Sequence, residues 1–466
     1  MGIIVSVLVG IVLTLPISSA AICFTLSLTG LAGGAATAGC CAQMIGFAVM
    51  SFAENGWGGL VAQGLGTNGL AALNLAIPIY SAITGMGMMT GMGAATCYSI
   101  MRSRGDEKAD KVFTNALFIA AFFTLIFEIC GIFFSGSISR LLGAEGDTYE
   151  MCRVYLRTLL IFSPFFLLNN ISICFLRNDN APHRSMAGML AGSFSNIVLD
   201  YIFIFPFKMG MFGAVLATCF APIISLGVMS GFYLKKRNTF HLTKTAPDMK
   251  LISRIAATGV PALVSELSSG IVIIVFNMII MSLAGNVGVA AYGIAANIFI
   301  VVVSIYNGIA QGMQPLASKS SGEGDSAASH SYLRLALISG AVVSVIVYIC
   351  IFFFADPIAG IFNSEKDPAL QEIAIQGLRL YFIGCFFAGF NVIKAAYLSA
   401  VGISAPANLI SILRGFAVII PAALAMSALW GVDGLWLSFA ASEFIVSIVS
   451  LCINPDRTRK APSERP

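Results

Sequence analysis

The sequence predicts an all-α integral membrane protein of twelve transmembrane helices, arranged as two pseudosymmetric six-helix lobes, with an extra apolar segment at the N-terminus. Three observations predict it. Only 10% of the 466 residues are charged and 58% are hydrophobic, with mean hydropathy +0.90; an ordinary globular chain has roughly 25% charged residues. So few charges cannot cover a water-soluble surface. Apolar runs of spanning length recur twelve times, each near the roughly 20 residues a helix needs to cross hydrocarbon. The two halves of the sequence also resemble each other at an offset of about 220 residues. The net charge of +4 is small and implies no nucleic-acid partner.

The runs fall at 40–62, 69–98, 113–136, 155–176, 186–207, 212–234, 256–283, 288–314, 335–355, 374–400, 405–429 and 434–453. They are continuous, which selects helices over barrel strands of about ten residues with alternating polarity. A further apolar run occupies 3–29, and the first 53 residues carry no charged side chain. That argues against a cleaved secretory leader, which needs a basic start; whether 3–29 crosses the membrane is left open. The organisation expected is an appendage at 1–39, an N-lobe at 40–237, a cytoplasmic linker at 238–253, a C-lobe at 254–453 and a tail at 454–466. Eighteen lysines and arginines fall in the tail and in the loops on one side, and six on the other. By the positive-inside rule the linker and C-terminus are cytoplasmic. Ten of the eleven cysteines lie in or beside apolar runs with no Cys-x-x-Cys spacing, and His183, His241 and His330 fall in polar loops. Neither a zinc site nor an intramembrane histidine relay is expected.

The repeat is specific. Gly69-Leu-Ala-Ala-Leu-Asn74 aligns with Gly288-Val-Ala-Ala-Tyr-Gly293, Gly93 with Gly312, and the Gly-Asp turns at Gly105 and Gly324 with each other. Ala181-Pro182 aligns with Ala405-Pro406, and Gly210-Met-Phe-Gly213 with Gly431-Val-Asp-Gly434. Each match keeps its place relative to the runs. Six spans duplicated give halves that run the same way across the bilayer, related by an axis along its normal. A cavity between them, open alternately to each side, is the usual mechanical use of that arrangement. Gly85, Gly87, Gly91 and Gly93 put small residues at packing intervals along the second span, read equally as tight helix contact or as a hinge.

A carboxylate at the bilayer centre costs at least about 2.5 kcal/mol, so each one needs a reason. Asp200 lies inside the fifth run, and Asn196 is one helical turn before it on the same face. The pair reads as a proton-exchanging acid or a sodium ligand, against the plainer reading of an aspartate that hydrogen-bonds a neighbouring helix. Glu266 sits between Pro261 and Gly270 in the seventh run, where a bend gives polar access, and Lys394 in the tenth is its candidate partner. A static Glu266–Lys394 pair that only orients helices is the alternative. Asn277 and Gln311 are read as lining the C-lobe cavity or as interhelical glue. Arg414 and Glu443 are read as helix-packing groups rather than transport residues.

The stretch from Asn196 to Phe205, followed by Gly210-Met-Phe-Gly-Ala-Val-Leu-Ala-Thr218, resembles the fifth and sixth helices of the multidrug and toxic compound extrusion (MATE) transporters. So do Gly312-Met-Gln-Pro315 and Ala405-Pro406 with Arg414. The resemblance covers about residues 40–453 and places the chain nearest the bacterial members. It implies efflux of amphipathic, often cationic compounds driven by protons or sodium. It implies that Asn196, Asp200 and Thr218 form the N-lobe cation or proton site, and that Glu266 is the C-lobe acid for substrate or cation. It also implies an acid at Trp57 or Gly58; neither is acidic, and Glu54 one turn earlier is the substitute.

Other classes fit less well. No Gly-x-x-x-x-Gly-Lys-[Ser/Thr] phosphate loop occurs, so energy comes from an ion gradient or a separate subunit. Gly322-Glu-Gly-Asp325 matches the Gly-x-Gly-Asp pattern of intramembrane proteases, but it lies in a loop whose repeat mate is another Gly-Asp turn. A channel lacks a filter signature, and a lipid or lipid-linked precursor flippase of the same wider superfamily often has fourteen spans. The reading is therefore a monomeric proton- or sodium-coupled antiporter of the plasma membrane, not an enzyme. It has no cofactor beyond its coupling ion, no bound metal, and small-molecule substrates and the lipid bilayer as its partners.

Overall fold

The computed structural model describes the backbone of residues 34–453 apart from 180, 236–237 and 364–366, and side chains from Leu65 onward with a few exceptions. The segment 3–29 and the side chains of Glu54, Trp57 and Gly58 lie outside the described residues. Among the described residues every regular element is helical, as a chain immersed in hydrocarbon requires, because each backbone polar group must be satisfied within its own segment. The chain divides into two compact units, one built from residues 49–267 and the other mainly from residue 268 onward.

The first unit takes α1 (Gly34–Ser103) from residue 49 onward, followed by α2 (Asp110–Ile129), which runs through a π-helical turn at Cys130–Phe134 into α3 (Ser135–Leu141). Helices α4 (Gly146–Ile161) and α5 (Ser163–Asn178) meet at a bend of 51°. Pro164 sits at the start of α5, where its missing N–H interrupts nothing. Then come α6 (Pro182–Ile204), α7 (Gly210–Leu234) and the first part of α8 (Met249–Glu323). The second unit contains the rest of α8, bent at Gly285 (φ 61°, ψ −153°), and α9 (Ser326–Phe362), distorted at Phe354. It continues with α10 (Pro368–Tyr381), a 3-10 turn at Phe382–Gly384, α11 (Cys385–Ala400), α12 (Ser404–Ile412), a π-helical turn at Leu413–Ala417 and α13 (Ile419–Cys452), broken at Gly431 (φ 60°). By length and apolarity eight helices are able to span, or nine with the bent pair, among the described residues. The twelve apolar runs are more numerous because α1, α8 and the α12–α13 stretch each carry two.

The repeat seen in sequence recurs in the backbone. Gly105 and Gly324 both adopt positive φ (73° and 81°), as do Gly210 and Gly431 (62° and 60°); these are turns that L side chains resist. The bend at Phe162 and the 3-10 turn opening at Phe382 also stand about 220 residues apart.

Within the first unit, α1 crosses α8 backbone to backbone. A Cβ on Gly93 would lie 2.1 Å from the Ile255 carbonyl oxygen, and one on Gly259 would lie 1.9 Å from that of Met89. Gly85 likewise faces Leu263 and Glu266, while Gly87 and Gly91 face Asn170. These are the close approaches that small residues allow between membrane helices. Residues 249–267 therefore pack with the first unit, and its limit falls at Leu267 rather than at the expected 253. The second unit is centred on an aromatic cluster in which Tyr381 stacks on Phe439 (4.4 Å) and Trp436 packs against Tyr292 and Tyr381.

The expected linker has no regular structure over 238–248 but is docked on the first unit. Phe240, 1% exposed, fills an aromatic pocket with ring centroids 4.8 Å from Phe113, 5.0 Å from Phe175 and 5.8 Å from Tyr233. Polar side chains at the helix ends hold the strand on either side. The Thr239 N–H donates to Asp179 Oδ2 (2.8 Å) and its hydroxyl to Asp179 Oδ1. The N–H groups of His241, Thr243 and Asp248 donate to Asp110, Thr114 and Asn115. Burial pushes the Asp179 carboxyl above its ordinary value, opposed by the Thr239 hydrogen bonds and by the charge of Arg102.

Phe240→Ala is expected to lower stability by about 3 kcal/mol and to speed hydrogen exchange over 239–243; unchanged exchange would show that the aromatic plug does not hold the strap. With its folded pKa raised, the stability Asp179 contributes is fully present below its unfolded value of about 3.9 and is lost as pH rises through the folded value. Asp179→Asn should flatten that part of the stability–pH curve, measured by thermal unfolding between pH 4 and pH 8.

Candidate functional site

Asp200 is completely buried, near the end of α6. Helices α6 and α7 can lie close along their length because Gly188 and Gly192 face Met229, Ser225 and the Ala221 carbonyl with no room for a Cβ. That approach brings α7 against the face carrying Asp200. Thr218 of α7 is 8% exposed, and its hydroxyl donates to the Ala214 carbonyl (3.1 Å). The phenol of Tyr155 on α4, 1% exposed, lies within hydrogen-bonding reach of Thr218 and within electrostatic reach of Asp200 and Tyr80. Asn196 is half-buried one turn from Asp200, and its enclosed Nδ2 donates to no described residue. Two of the sequence-derived residues, Asp200 and Thr218, thus both lie within reach of Tyr155. The arrangement is a buried acid in a region that also holds a phenol and a threonine hydroxyl, chemistry suited to accepting a proton or offering oxygens to a small cation.

Tyr155 escaped the sequence reading because it precedes Asp200 by 45 residues on another helix. Its one signal was a phenol inside an apolar run, whose polar tip needs a partner when buried. Glu54 lies outside the described side chains.

The residues expected in the second half divide between the two units. Glu266 belongs to the first unit, its Cβ against Gly85. Lys394 is half-buried on α11 in the second unit. Asn277 on α8 is half-buried, and its enclosed Oδ1 accepts no hydrogen bond from described residues. Gln311, on the same helix, is 6% exposed.

The second unit instead contains a polar centre that sequence reasoning took for packing. Arg414 Nε donates to Glu443 Oε1 at 2.6 Å, and Asn391 Nδ2 donates to Glu443 Oε2 at 2.8 Å. The Ser447 hydroxyl reaches Asn391 Oδ1 (3.2 Å) and the Glu443 carbonyl (2.9 Å). Glu443 is 3% exposed. Both charges are neutralised and both carboxylate oxygens are bonded, which is the condition for keeping a charge pair out of water.

Comparison with known proteins accords with this architecture. Residues 261–424 match the family described as MatE, and residues 1–101 match that described as Phosphotransferase system, EIIC. The chain is 27% identical over 387 residues to a multidrug export protein, MepA, of Staphylococcus saprophyticus, covering 82% of this chain and 85% of that protein. It is 26% identical to MepA of Staphylococcus aureus with the same coverage. A solved outward-facing MATE family transporter of the MOP superfamily superposes with TM-score 0.85 at 23% identity, covering 91% of this chain and 95% of that one. That likeness extends the MATE fold far beyond the span matched by MatE alone.

Tyr155→Phe keeps the ring and removes the hydroxyl that reaches Thr218. It should lower stability by about 1 kcal/mol in thermal unfolding of the detergent-solubilised protein; an unchanged transition would separate Tyr155 from the Asp200 cluster.

Proposed function

We propose, from the premise that this chain belongs to the MATE family of transporters, that it is an antiporter exporting amphipathic, chiefly cationic small molecules in exchange for protons or sodium. It is a multi-pass membrane protein and not an enzyme. The observation that carries the reading is the completely buried Asp200 beside Thr218 and Tyr155. An intramembrane acid is functional by default, and this one is completely buried within electrostatic reach of Tyr155. Two relatives named for multidrug export support the substrate class.

The ion step works through charge. Binding a proton or a sodium ion at Asp200 removes a buried negative charge from the packed α4–α6–α7 core. An ion shifts a conformational equilibrium only by its different affinity for the two states, and a site that is dry in one state and wet in the other supplies that difference. Asn196 and Thr218 would steady the carboxylate. Glu266, Asn277, Gln311 and Lys394 remain our candidates for substrate contact, and Glu54 for a second ion ligand. The bacterial relatives favour the plasma membrane, the excess of basic residues favours a cytoplasmic C-terminus, and the two units within one chain suit a monomer.

The test is uptake of a fluorescent lipophilic cation into inverted vesicles under an imposed pH or sodium gradient. Wild type should take up the cation with one of the two gradients, and Asp200→Asn should fall to the level of vesicles without the protein. Equal uptake by both would move the coupling elsewhere, and no uptake by wild type under either gradient would remove the drug-export reading.

A further inference from the structure

Each half contains a buried polar centre, and the two centres are not equivalent. In the first unit the acid is Asp200 on α6, with Thr218 on α7 and Tyr155 on α4. In the second, the positions aligned with Asp200 fall within Pro421–Leu424, none of which is acidic. The acid there is Glu443 on α13, and a cation is supplied by the chain itself, through Arg414 of the π-helical turn. The geometry points to Arg414 as a tethered counter-ion: its guanidinium fills a cation site formed by Glu443 and Asn391, so that this half takes up no free ion while Arg414 is present.

Three features carry the inference. The carboxylate is saturated, with Arg414 Nε on Oε1 and Asn391 Nδ2 on Oε2. The π-helical turn Leu413–Ala417 is closed by Val418 N–H donating to Leu413 O at 3.0 Å. The corresponding stretch of α6 is a regular helix, so the insertion belongs to the half that has the arginine. Such turns re-aim side chains and concentrate at functional positions. Among the described residues, Tyr306, Tyr381 and Cys385 are titratable neighbours within electrostatic reach of Glu443, and none of the three is a cation. A guanidinium-like or small monovalent cation is therefore the ligand that Glu443 would accept if the arginine were shortened.

Removing Arg414 should leave a buried acid with a cation-shaped space. Purified Arg414→Ala is expected to melt several degrees below wild type. Millimolar guanidinium chloride should restore the transition along a saturating curve, while choline chloride at equal concentration should not. Arg414→Ala/Glu443→Gln should show no guanidinium response. A melting temperature of Arg414→Ala that does not respond, or an equal response of the double variant, overturns the assignment. Should the single variant not survive purification, the neutral pair Arg414→Met/Glu443→Gln decides, since buried ion pairs are often replaceable together. Reconstituted in vesicles, it should move the same number of coupling ions per substrate as wild type, and a changed number overturns the proposal. Only this last arm rests on the antiport reading. Guanidinium rescue is read without transport, so a failure of the Asp200 coupling role would be seen separately.

Discussion

Hydrocarbon offers no hydrogen bonds, and this constraint governs nearly every feature of the structure. It makes the backbone helical. It turns hydroxyls back on their own helices, as when Thr84, Thr90, Thr218 and Ser304 donate to carbonyls four residues earlier. It also makes close contact, rather than exclusion of water, the means by which helices associate. The crossing of α1 and α8 at Gly93 and Gly259 is that principle at its limit, since no side chain separates the two backbones.

The same constraint has two different solutions in the two halves. Glu443 is held by arginine, amide and hydroxyl groups into a closed set of bonds joining α11, the π-helical turn and α13. Asp200 is completely buried and within electrostatic reach of the Tyr155 phenol on α4. A fixed ion pair contributes the same charge in every state of the molecule, whereas a carboxylate among hydroxyls changes charge when a proton or cation arrives. Duplication supplied two similar frames, which now differ both in where the acid lies and in the arginine beside it.

The fold was largely legible in the sequence because its signals are local: run length, glycine turns and an offset that aligns Gly105 with Gly324 and Gly210 with Gly431. Asp200 was legible for the same reason, as a charge in an apolar run. What stayed hidden depends on distant pairing. Arg414 and Glu443 are 29 residues apart and separated by the break at Gly431, and nothing in either local stretch announces the other. The π-helical turn that aims Arg414 has no composition of its own. Glu266 was assigned to the second half from its place in the order of runs, but the glycines at 85, 93 and 259 draw the start of α8 onto α1. The linker is read in sequence only as a connection between the halves; a buried aromatic residue in such a stretch, Phe240, is the sign that it is docked.

The strap has a consequence for the order in which the protein is made. Tyr98, Asp110, Phe113, Thr114, Asn115, Phe175, Asp179 and Tyr233, the groups that receive residues 239–248, all precede it in the chain. Synthesis proceeds at roughly 5–20 residues per second, and early segments fold first. The first bundle is therefore clasped at one end while the ribosome is still translating the second. The aromatic pocket that Phe240 fills is thus closed before the second half is complete.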